Sequence, residues 1–352
     1  MNWPTIAAAF AAQLPAGRLH PAALARLRAA FATDARIAIA LSGGADSLAL
    51  LLLLHAHAPT SAARRRLVAL HFNHRLRGAA ATADARFCQR VCAALGIPLA
   101  LGEWTDRPAR KTAASEAAAR TARHAFFDRE LRRRRIHLLC LGHHQDDVAE
   151  TVFMRLARGA GTAGLAAPRP VQSMPGERVH LRPLLTLAHA EITDALTAAG
   201  ATWREDATNA TDAHFRNRVR RHLLPALIEA AGRDAIAGAA LSRELLDEDD
   251  AALEAWSDAA TRLDDTGRLQ LPVPPATLPR AVLRRVLRRW LNHHGVGEHL
   301  SRQGFGTILA LAENGRPGRV SLDATRLVVL RKHRLSIENA PVRRPAKARP
   351  AN

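Results

Sequence analysis

The sequence predicts an α/β protein with a parallel sheet wrapped by helices in its N-terminal part, followed by a smaller, mainly helical domain with a short β element. From Arg36 onward, short apolar segments alternate with helical stretches, which is typical of parallel sheets. The 352 residues suffice for about two domains, and the composition changes near Pro225. We therefore expect one domain over residues 1–222, a second over 223–340, and a basic, disordered tail over 341–352.

The individual elements follow from runs of apolar residues and from the residues that end them. Buried strands are predicted at Ile37–Leu41, Leu67–His74, Ile97–Trp104 and Ile136–His143. Helices are predicted from Asp46 onward, over Ala81–Gly96, over Thr112–Arg135, from Asp146 to Gly159 and over Glu191–Ala199. The second domain is predicted to contain helices around Leu245–Trp256 and over Arg280–Leu291, and two strands within Gly318–Ile337.

Composition and charge limit the classes of function. The longest apolar run, around Leu48–Leu54, is far shorter than the roughly 18 residues of a membrane-spanning helix. The N-terminus lacks the basic region of a secretory signal, and three cysteines are too few for a disulfide framework, so we expect a cytoplasmic protein. The net charge of +19 favours a polyphosphate partner, first of all nucleic acid. A composition that is simply rich in arginine and alanine is the alternative explanation of this charge.

One segment joins the first strand to a helix in a way that suits phosphate. SGGADS, residues Ser42–Ser47, has small residues where backbone amides can surround phosphate oxygens, and the helix N-terminus adds partial positive charge. The segment lacks the Gly-Lys-Ser/Thr of a Walker A loop, so γ-phosphate transfer is not predicted. A tight turn is the alternative for so short a sequence. Because the strand, the glycines, Asp46 and Ser47 occur together, we interpret the segment as an anion-binding loop.

This segment resembles the SGGxDS loop of the PP-loop ATP pyrophosphatases. The resemblance implies that the loop holds the pyrophosphate part of ATP while a substrate oxygen attacks the α-phosphate and pyrophosphate leaves. The residues expected to bind ATP are Ser42, Gly43, Gly44, Ala45, Asp46, Ser47, His71 and Arg120. Asp46, Arg120 and Asp147 are expected to act in catalysis.

Later segments resemble, in the right order, the motifs of the tRNA(Ile)-lysidine synthetases. They are HFNHRLRG (71–78), ASEAAARTARHAFF (114–127), GHHQDDVAET (142–151), RGAGTAGL (158–165), RPLL (182–185) and EDATNATDAHFRNRVRRHLLPAL (205–227). The resemblance is strong over about the N-terminal two-thirds and weak over the rest. Val148, His124 and Ala207 depart from the family pattern, but none of these departures removes a charged group.

The strand before GHHQDDVAET ends at Gly142, so the polar residues that follow lie at the carboxyl edge of the sheet, where open α/β folds bind ligands. Adjacent carboxylates beside a triphosphate suit Mg²⁺, and we expect Asp46 and Asp147 to hold this ion. Acids that complement a helix dipole, and a zinc site, are the alternatives. The residues expected to contact lysine or tRNA in this part of the chain are His144, Asp146, Glu150, Asp206, Asn209, Arg216, Asn217 and Arg220.

A row of arginines lies on the helix predicted at Arg280–Leu291, away from its apolar residues. It consists of Arg284, Arg285, Arg288 and Arg289. No acid interrupts the row, so we expect it to contact tRNA phosphates. A solvated charged face is the alternative.

The resemblance implies a ligase. The C2 oxygen of the wobble cytidine in a minor isoleucine tRNA attacks ATP, and the amine of L-lysine then displaces AMP to give lysidine. The expected partners are ATP, Mg²⁺, L-lysine and tRNA(Ile) with a CAU anticodon, with no membrane; a homodimer is compatible with the sequence. Two alternatives stay open: a PP-loop tRNA thiolase, which needs reactive cysteines, and a nucleic-acid-binding protein without catalysis. The cysteines Cys88, Cys92 and Cys140 are expected to be buried, which disfavours the thiolase.

Overall fold

A computed structural model describes residues 1–75, 78–105, 113–205, 212, 214–297 and 300–340. The chain forms two compact units, Met1–Asp247 and Glu248–Asn352. The predicted site residues Asp206 and Asn209, the departure at Ala207 and the predicted tail over 341–352 lie outside the described residues.

The first unit contains a six-stranded sheet. Its strands are β1 (Ile37–Ala40), β2 (Leu67–Asn73), β3 (Leu99–Glu103), β4 (Leu138–Cys140), β5 (Val171–Met174) and β6 (Arg178–Leu181). Their order across the sheet is β3-β2-β1-β4-β6-β5. Neighbouring strands are parallel, except that β5 runs antiparallel to β6. The predicted parallel sheet is thus confirmed, with β1 at its centre.

Helices pack on both faces of this sheet. The helices of this part of the chain are α1 (Trp3–Gln13), α2 (Pro21–Phe31), α3 (Ala45–His57), α4 (Ser61–Arg64), α5 (Ala79–Leu95), α6 (Ala113–Arg134), α7 (Gln145–Leu156), α8 (Thr162–Leu165), α9 (His189–Ala198), α10 (Phe215–Arg218), α11 (Leu224–Ala231) and α12 (Ala235–Ala260), of which α12 ends in the second unit. Successive residues of β1 face opposite sides: Ile37 and Ile39 pack with α3 and α5, and Ala38 packs with Phe126 and Leu131 of α6.

The core of the first unit surrounds α3. Every residue from Leu48 to Leu54 is at most 1% exposed, as expected of a helix that is apolar on all sides. This burial fixes α3 against the sheet, and with it the SGGADS loop at its N-terminus. Among the described residues, no helix is both long and apolar enough to cross a membrane.

The hairpin of β5 and β6 is not among the predicted strands. β6 reads RVHL, and its Arg178 and His180 are both buried. Arg178 pairs with Asp128, and the His180 ring stacks with His124 at 6.5 Å between centroids. Because these partners come from α6, far away in sequence, the local pattern does not reveal a buried strand.

The second unit combines helices with an antiparallel sheet. Its further elements are β7 (Leu269–Gln270), α13 (Arg280–His293), α14 (Arg302–Asn314), β8 (Gly318–Ser321), β9 (Arg326–Arg331) and β10 (Arg334–Asn339). The strand order is β7-β10-β9-β8, so the segment predicted to hold two strands contributes three. β9 and β10 are joined at Lys332 and His333, which both have positive φ. Neither lysine nor histidine is typical of a hairpin turn, so the turn is not recognisable in the sequence.

The first unit extends beyond residue 222, where the sequence places the domain boundary. Val219 and Leu224 are buried against Ala149 of α7, and Ile236 of α12 packs on the same cluster. These contacts attach the start of the helical region to the first unit. The functional division expected from the sequence, adenylation before residue 222 and tRNA binding after it, stays a prediction.

Candidate active site

The predicted anion-binding loop connects β1 to α3 at the carboxyl edge of the sheet. The hydroxyl oxygen of Ser47 accepts hydrogen bonds from the backbone N–H groups of Ser42, at 3.1 Å, and Gly43, at 3.2 Å. The same hydroxyl donates to the Gly44 carbonyl oxygen at 3.1 Å. Gly43 has a φ of +97°, and a β-carbon there would lie 3.3 Å from Cys88 Sγ. Ser47 therefore closes the loop on its own helix, and only glycine suits position 43.

The carboxylate of Asp46, in the first turn of α3, contacts two histidines. Its Oδ1 lies 2.8 Å from Nδ1 of His189, and its Oδ2 lies 3.7 Å from Nε2 of His144. One ligand atom from each of the three residues lies within 4.8 Å of the others, a spacing that suits a metal ion. His189 is missing from the sequence predictions because 143 residues separate it from Asp46. One feature could have pointed to His189: it lies at the start of α9, which follows β6, and the carboxyl end of β6 lies at the same edge of the sheet as the SGGADS loop.

His144 also contacts the acids that follow it in the chain. Its Nδ1 lies 3.2 Å from Asp146 Oδ2, and its Nε2 lies 3.5 Å from Asp147 Oδ2. Burial lowers the pKa of His144, but the surrounding carboxylates of Asp146, Asp147 and Asp46 raise it to about 9. Burial raises the pKa of Asp146, but the hydrogen bonds from His144 and from the His189 backbone lower it to about 2. At neutral pH this cluster therefore holds a cationic imidazole between carboxylates.

Two buried carboxylates of α7 contact arginines of the segment 205–227. Arg216 of α10 donates to both Asp147 and Glu150, and Arg220 donates to Glu150. The Glu150 side chain has no exposed surface. Burial raises the pKa of Asp147, but His144 and Arg216 lower it below its usual range. The structure thus brings together four predicted site residues, and Asn217 lies half-buried beside Arg216.

His71 supports the loop from β2. It is buried, and its Nδ1 lies 2.9 Å from the carbonyl oxygen of Leu41, the residue that precedes the loop. Because a carbonyl oxygen only accepts, Nδ1 carries the proton and donates it. Burial lowers the pKa of His71, so the ring is neutral at neutral pH. Arg120, the other predicted ATP contact outside the loop, is exposed on α6.

Two members of the predicted arginine row contact acids of α12. Arg285 donates to Asp250 and, at 2.9 Å, to Glu254. Arg289 donates to Glu254 at 2.6 Å and lies 2.5 Å from Asp258. These acids lie 31 to 35 residues earlier in the chain, so inspection of the helix alone does not find them.

The other two arginines of the row are exposed. Arg284 and Arg288 both lie on the outer side of α13, and the Arg288 guanidinium lies 4.4 Å from the centre of the Phe305 ring. The aromatic contact holds Arg288 in place while its charge stays at the surface. The four arginines therefore form an ion-paired set, Arg285 and Arg289, and an exposed set, Arg284 and Arg288.

Two family models match the chain. Residues 20–227 match the PP-loop domain, and residues 276–336 match the TilS substrate binding domain. The first match includes the SGGADS loop and the acids of α3 and α7 described above, and the second includes α13.

Relatives with similar sequences are named tRNA(Ile)-lysidine synthase. The protein of Solibacter usitatus is 44% identical over 197 residues, which are 56% of this chain and 42% of that protein. The protein of Bacillus subtilis is 33% identical over 81% of this chain and 61% of its own length. The protein of Azoarcus sp. is 40% identical over 84% of this chain and 64% of its own length. The chain thus spans about half the length of the curated relatives it matches, and up to 64% of it.

A solved structure is similar in fold. The U34-tRNA thiolase NcsA from Methanococcus maripaludis, with its [4Fe-4S] cluster, aligns with a TM-score of 0.53 and 20% identity. The alignment covers 61% of this chain and 73% of the thiolase. At this identity the similarity concerns the fold alone. Since the PP-loop domain model matches more than half of the residues, the chain belongs to the PP-loop domain family.

Proposed function

We propose that the chain forms lysidine at the wobble cytidine of a tRNA(Ile) with a CAU anticodon, using ATP and L-lysine and releasing AMP and pyrophosphate. The names of the relatives and the order of the motifs support this activity. The observation that carries it is the cluster of acids beside the SGGADS loop, in which Asp46 and Asp147 both contact the ring of His144. A reaction between a triphosphate and a cationic amino acid needs charged groups of both signs at one place. We also expect the reaction to take place in the cytoplasm.

In the first step, the loop binds the pyrophosphate part of ATP at the N-terminus of α3, because the N–H groups of Ser42 and Gly43 already donate to Ser47. The C2 oxygen of the cytidine forms a bond to the α-phosphorus, and the bond from that phosphorus to pyrophosphate breaks. His144, cationic at neutral pH, offsets negative charge beside Asp46. Arg120 is proposed to contact the α-phosphate from α6.

Asp46 fits Mg²⁺ better than Asp147 does. Asp46 is partly exposed and contacts only imidazole groups, whereas both Asp147 oxygens already accept hydrogen bonds, from Arg216 and from the His144 backbone. When bound, Mg²⁺ would supply positive charge to the phosphate oxygens of ATP. Asp46 is therefore the proposed ligand, and Asp147 contributes an oxygen only if Arg216 moves away.

In the second step, one lysine ammonium loses a proton to solvent, the resulting amine forms a bond to C2 of the adenylated cytidine, and the bond from C2 to the oxygen that carries AMP breaks. Lysine carries two ammonium groups, so carboxylates at the sheet edge are the expected partners. Asp146 is partly exposed and is the proposed direct partner, whereas Asp147 and the fully buried Glu150 act through Arg216 and Arg220, which they hold in place. The predicted contacts Asp206, Asn209 and Asn217 belong to the same segment as the two arginines and stay part of the proposal.

The cysteines give no support to sulfur transfer. Cys88, Cys92 and Cys140 are all buried. Burial raises the pKa of Cys92 and of Cys140 to about 12, and that of Cys88 even further. Neutral thiols are poor nucleophiles, because the thiolate is the reactive form.

Pyrophosphate release with ATP, tRNA(Ile) and lysine tests the proposal. We expect sustained release, and transfer of labelled lysine to the tRNA, only when all three are present. Release that depends on a sulfur donor instead of lysine would indicate a thiolase. Tight tRNA binding without any release would indicate a binding protein.

A further inference from the structure

Arg182, the first residue after β6, is a buried cation without a carboxylate partner. Three arginines are buried among the described residues, and two of them are ion-paired: Arg178 with Asp128, and Arg243 with Asp247 and Glu244. Arg182 is only 7% exposed.

The hydrogen-bond partners of Arg182 are all neutral groups. Its Nε donates to Nδ1 of His143 at 3.2 Å, and its two terminal nitrogens donate to the Arg169 carbonyl oxygen at 2.7 Å and to Gln172 Oε1 at 2.9 Å. Two of its five N–H groups have no partner among the described residues. A buried charge that no opposite charge balances destabilises the fold.

Three further arginines lie near this cation: the charges of Arg120 and Arg155 act on it directly, and that of Arg123 acts, as Arg182 does, on His124. Burial lowers the pKa of Arg182 to about 10, and the nearby charges of Arg120 and Arg155 lower it as well. Burial and the charge of Arg120 also lower the pKa of Arg123, whose Nε is buried without a hydrogen-bond partner in the described residues. We refer to Arg120, Arg123, Arg155 and Arg182 as the arginine cluster.

No group nearby neutralises the arginine cluster within the described part of the chain. Asp147 is the acid that acts on Arg182, and it is hydrogen-bonded to Arg216. His143 and His180 are neutral, because burial lowers their pKa to about 3 and about 4. Excess positive charge in a confined place attracts an anion, and guanidinium groups match phosphate oxygens in geometry.

We propose that the arginine cluster binds a backbone phosphate of the RNA substrate, next to the nucleotide that reacts, through Arg123, Arg155 and Arg182, while Arg120 keeps its proposed contact with the α-phosphate of ATP. The inference rests on the proposed function, because it assumes an RNA acceptor. It assigns a substrate contact to Arg123, Arg155 and Arg182, which the motif comparison leaves without a role.

The strand order favours RNA over ATP as the source of this phosphate. β6 lies two strands from β1. At the usual strand spacing, the backbone of Arg182 is therefore about 10 Å from the backbone of the SGGADS loop. His71, the proposed contact on the ATP side, lies on β2, on the other side of β1. If ATP occupies the loop and the β2 side, its acceptor must approach over β4 and β6. The first phosphate of that acceptor then lies within reach of the arginine cluster.

The test uses the full chain and a synthetic anticodon stem-loop RNA with a CAU loop. Arg123→Gln removes one charge, and Arg182→Lys keeps the charge but loses the planar fork. We expect each variant to bind the RNA about tenfold more weakly. Arg123→Gln should also reduce the slope of log K against log salt by about 0.7 to 0.9. The Kd for ATP, measured by equilibrium dialysis, should not change.

A matched control and a modified RNA make the test specific. Arg90→Gln removes an exposed charge from α5 and should leave RNA binding nearly unchanged. In a series of RNAs, one loop phosphate at a time is replaced by a neutral methylphosphonate. One of these replacements should weaken RNA binding to the parent protein about tenfold. The same replacement should have little further effect on RNA binding to the Arg123→Gln variant, as in a double-mutant cycle.

Three results would overturn the inference. RNA affinity and salt slope equal to those of the parent in both folded variants would show that the charge is structural. A weaker ATP affinity with unchanged RNA binding would assign the phosphate to the nucleotide. An equal loss in Arg90→Gln would indicate a general effect of charge. Failure of the proposed function can be told apart from failure of this inference. It would appear as absent lysine transfer by the parent protein, whatever the RNA affinities of the variants.

Discussion

A β-carbon added to Gly142 would lie 2.9 Å from the carbonyl oxygen of Asp46. It would also lie 3.1 Å from the backbone nitrogen of Ser47. The end of β4 therefore touches the first turn of α3 directly, backbone against backbone. This contact sets the distance between the SGGADS loop and the acids of GHHQDDVAET, because each segment begins at one side of it.

Gly142→Ala should displace the first turn of α3. Backbone atoms cannot rotate away as a side chain can, so we expect a loss of about 1–3 kcal/mol in the free energy of unfolding. We also expect at least about a tenfold loss of pyrophosphate release, since small displacements of reacting groups cost that much. Gly161→Ala is the control, because a β-carbon there has no atom within 4 Å. Equal activity of the two variants would contradict the role given to the contact.

Asp46→Asn should abolish adenylation without unfolding the protein. The substitution keeps the size of the side chain but removes the charge that Mg²⁺ binding needs. We expect pyrophosphate release to fall at least about 100-fold, with a melting temperature close to that of the parent. Asp34→Asn, at an exposed acid paired with Arg66, is the control. Substantial release by a folded Asp46→Asn protein, with normal dependence on Mg²⁺, would remove Asp46 from the site.

Glu150→Gln should destabilise the protein. Glu150 is fully buried and accepts hydrogen bonds from Arg216 and Arg220, so the variant leaves two guanidinium groups facing an amide. We expect urea unfolding to show a loss of about 3 kcal/mol. Glu229→Gln, at an exposed residue of α11, should cost less than about 0.5 kcal/mol. If both variants unfold at the same urea concentration, the ion pairs of Glu150 with Arg216 and Arg220 do not stabilise the protein.

Asp147→Asn tests the link between the same arginines and turnover. Its oxygens accept hydrogen bonds from Arg216 and from the His144 backbone, so the neutral amide replaces one of these bonds with a clash of donors. We expect lysine transfer to fall at least about tenfold. Unchanged transfer and unchanged Mg²⁺ dependence would mean that Asp147 only complements the dipole of α7.

Local patterns suffice for the parts of the fold that are local in sequence. The strand, glycines and helix of the SGGADS loop are contiguous, and so is the apolar face of α13. The contact of His189 with Asp46 spans 143 residues, and no local pattern contains it. The pairing of Arg285 with Asp250 likewise needs α12 and α13 to be placed side by side. The loop and the acids are therefore recognisable in the sequence, whereas their partners from distant segments are not.

Buried histidines should make stability depend on pH. Burial first, and then Arg182, lower the pKa of His180 from 6.5 to about 4, so the unfolded chain binds the proton more tightly. The free energy of unfolding should then decrease as pH falls from 6.5 to 4, by about 3 kcal/mol from this group. His180→Gln should reduce that decrease, whereas His137→Gln, at an exposed residue, should not. Equal pH profiles of the two variants in urea unfolding would contradict the assignment.

The last prediction separates the two sets of arginines on α13. Arg284 and Arg288 are exposed, whereas Arg285 and Arg289 pair with acids of α12, so the two double variants to Gln change the same charge on the same helix. Replacing the exposed set should weaken tRNA binding and lower its salt slope by about 1 to 2, because each phosphate contact contributes about 0.9.

Replacing the ion-paired set should act on stability instead. Asp250 is 2% exposed, so loss of its ion pair with Arg285 weakens the compensation of a buried charge. We therefore expect the free energy of unfolding to fall by about 2–4 kcal/mol. The salt slope of tRNA binding should stay that of the parent, because paired guanidinium groups release few counterions on binding. Fluorescence anisotropy at several salt concentrations and urea unfolding measure the two effects. Equal salt slopes of the two double variants, at equal stability, would show that the ion pairs with α12 do not decide which arginines meet the tRNA.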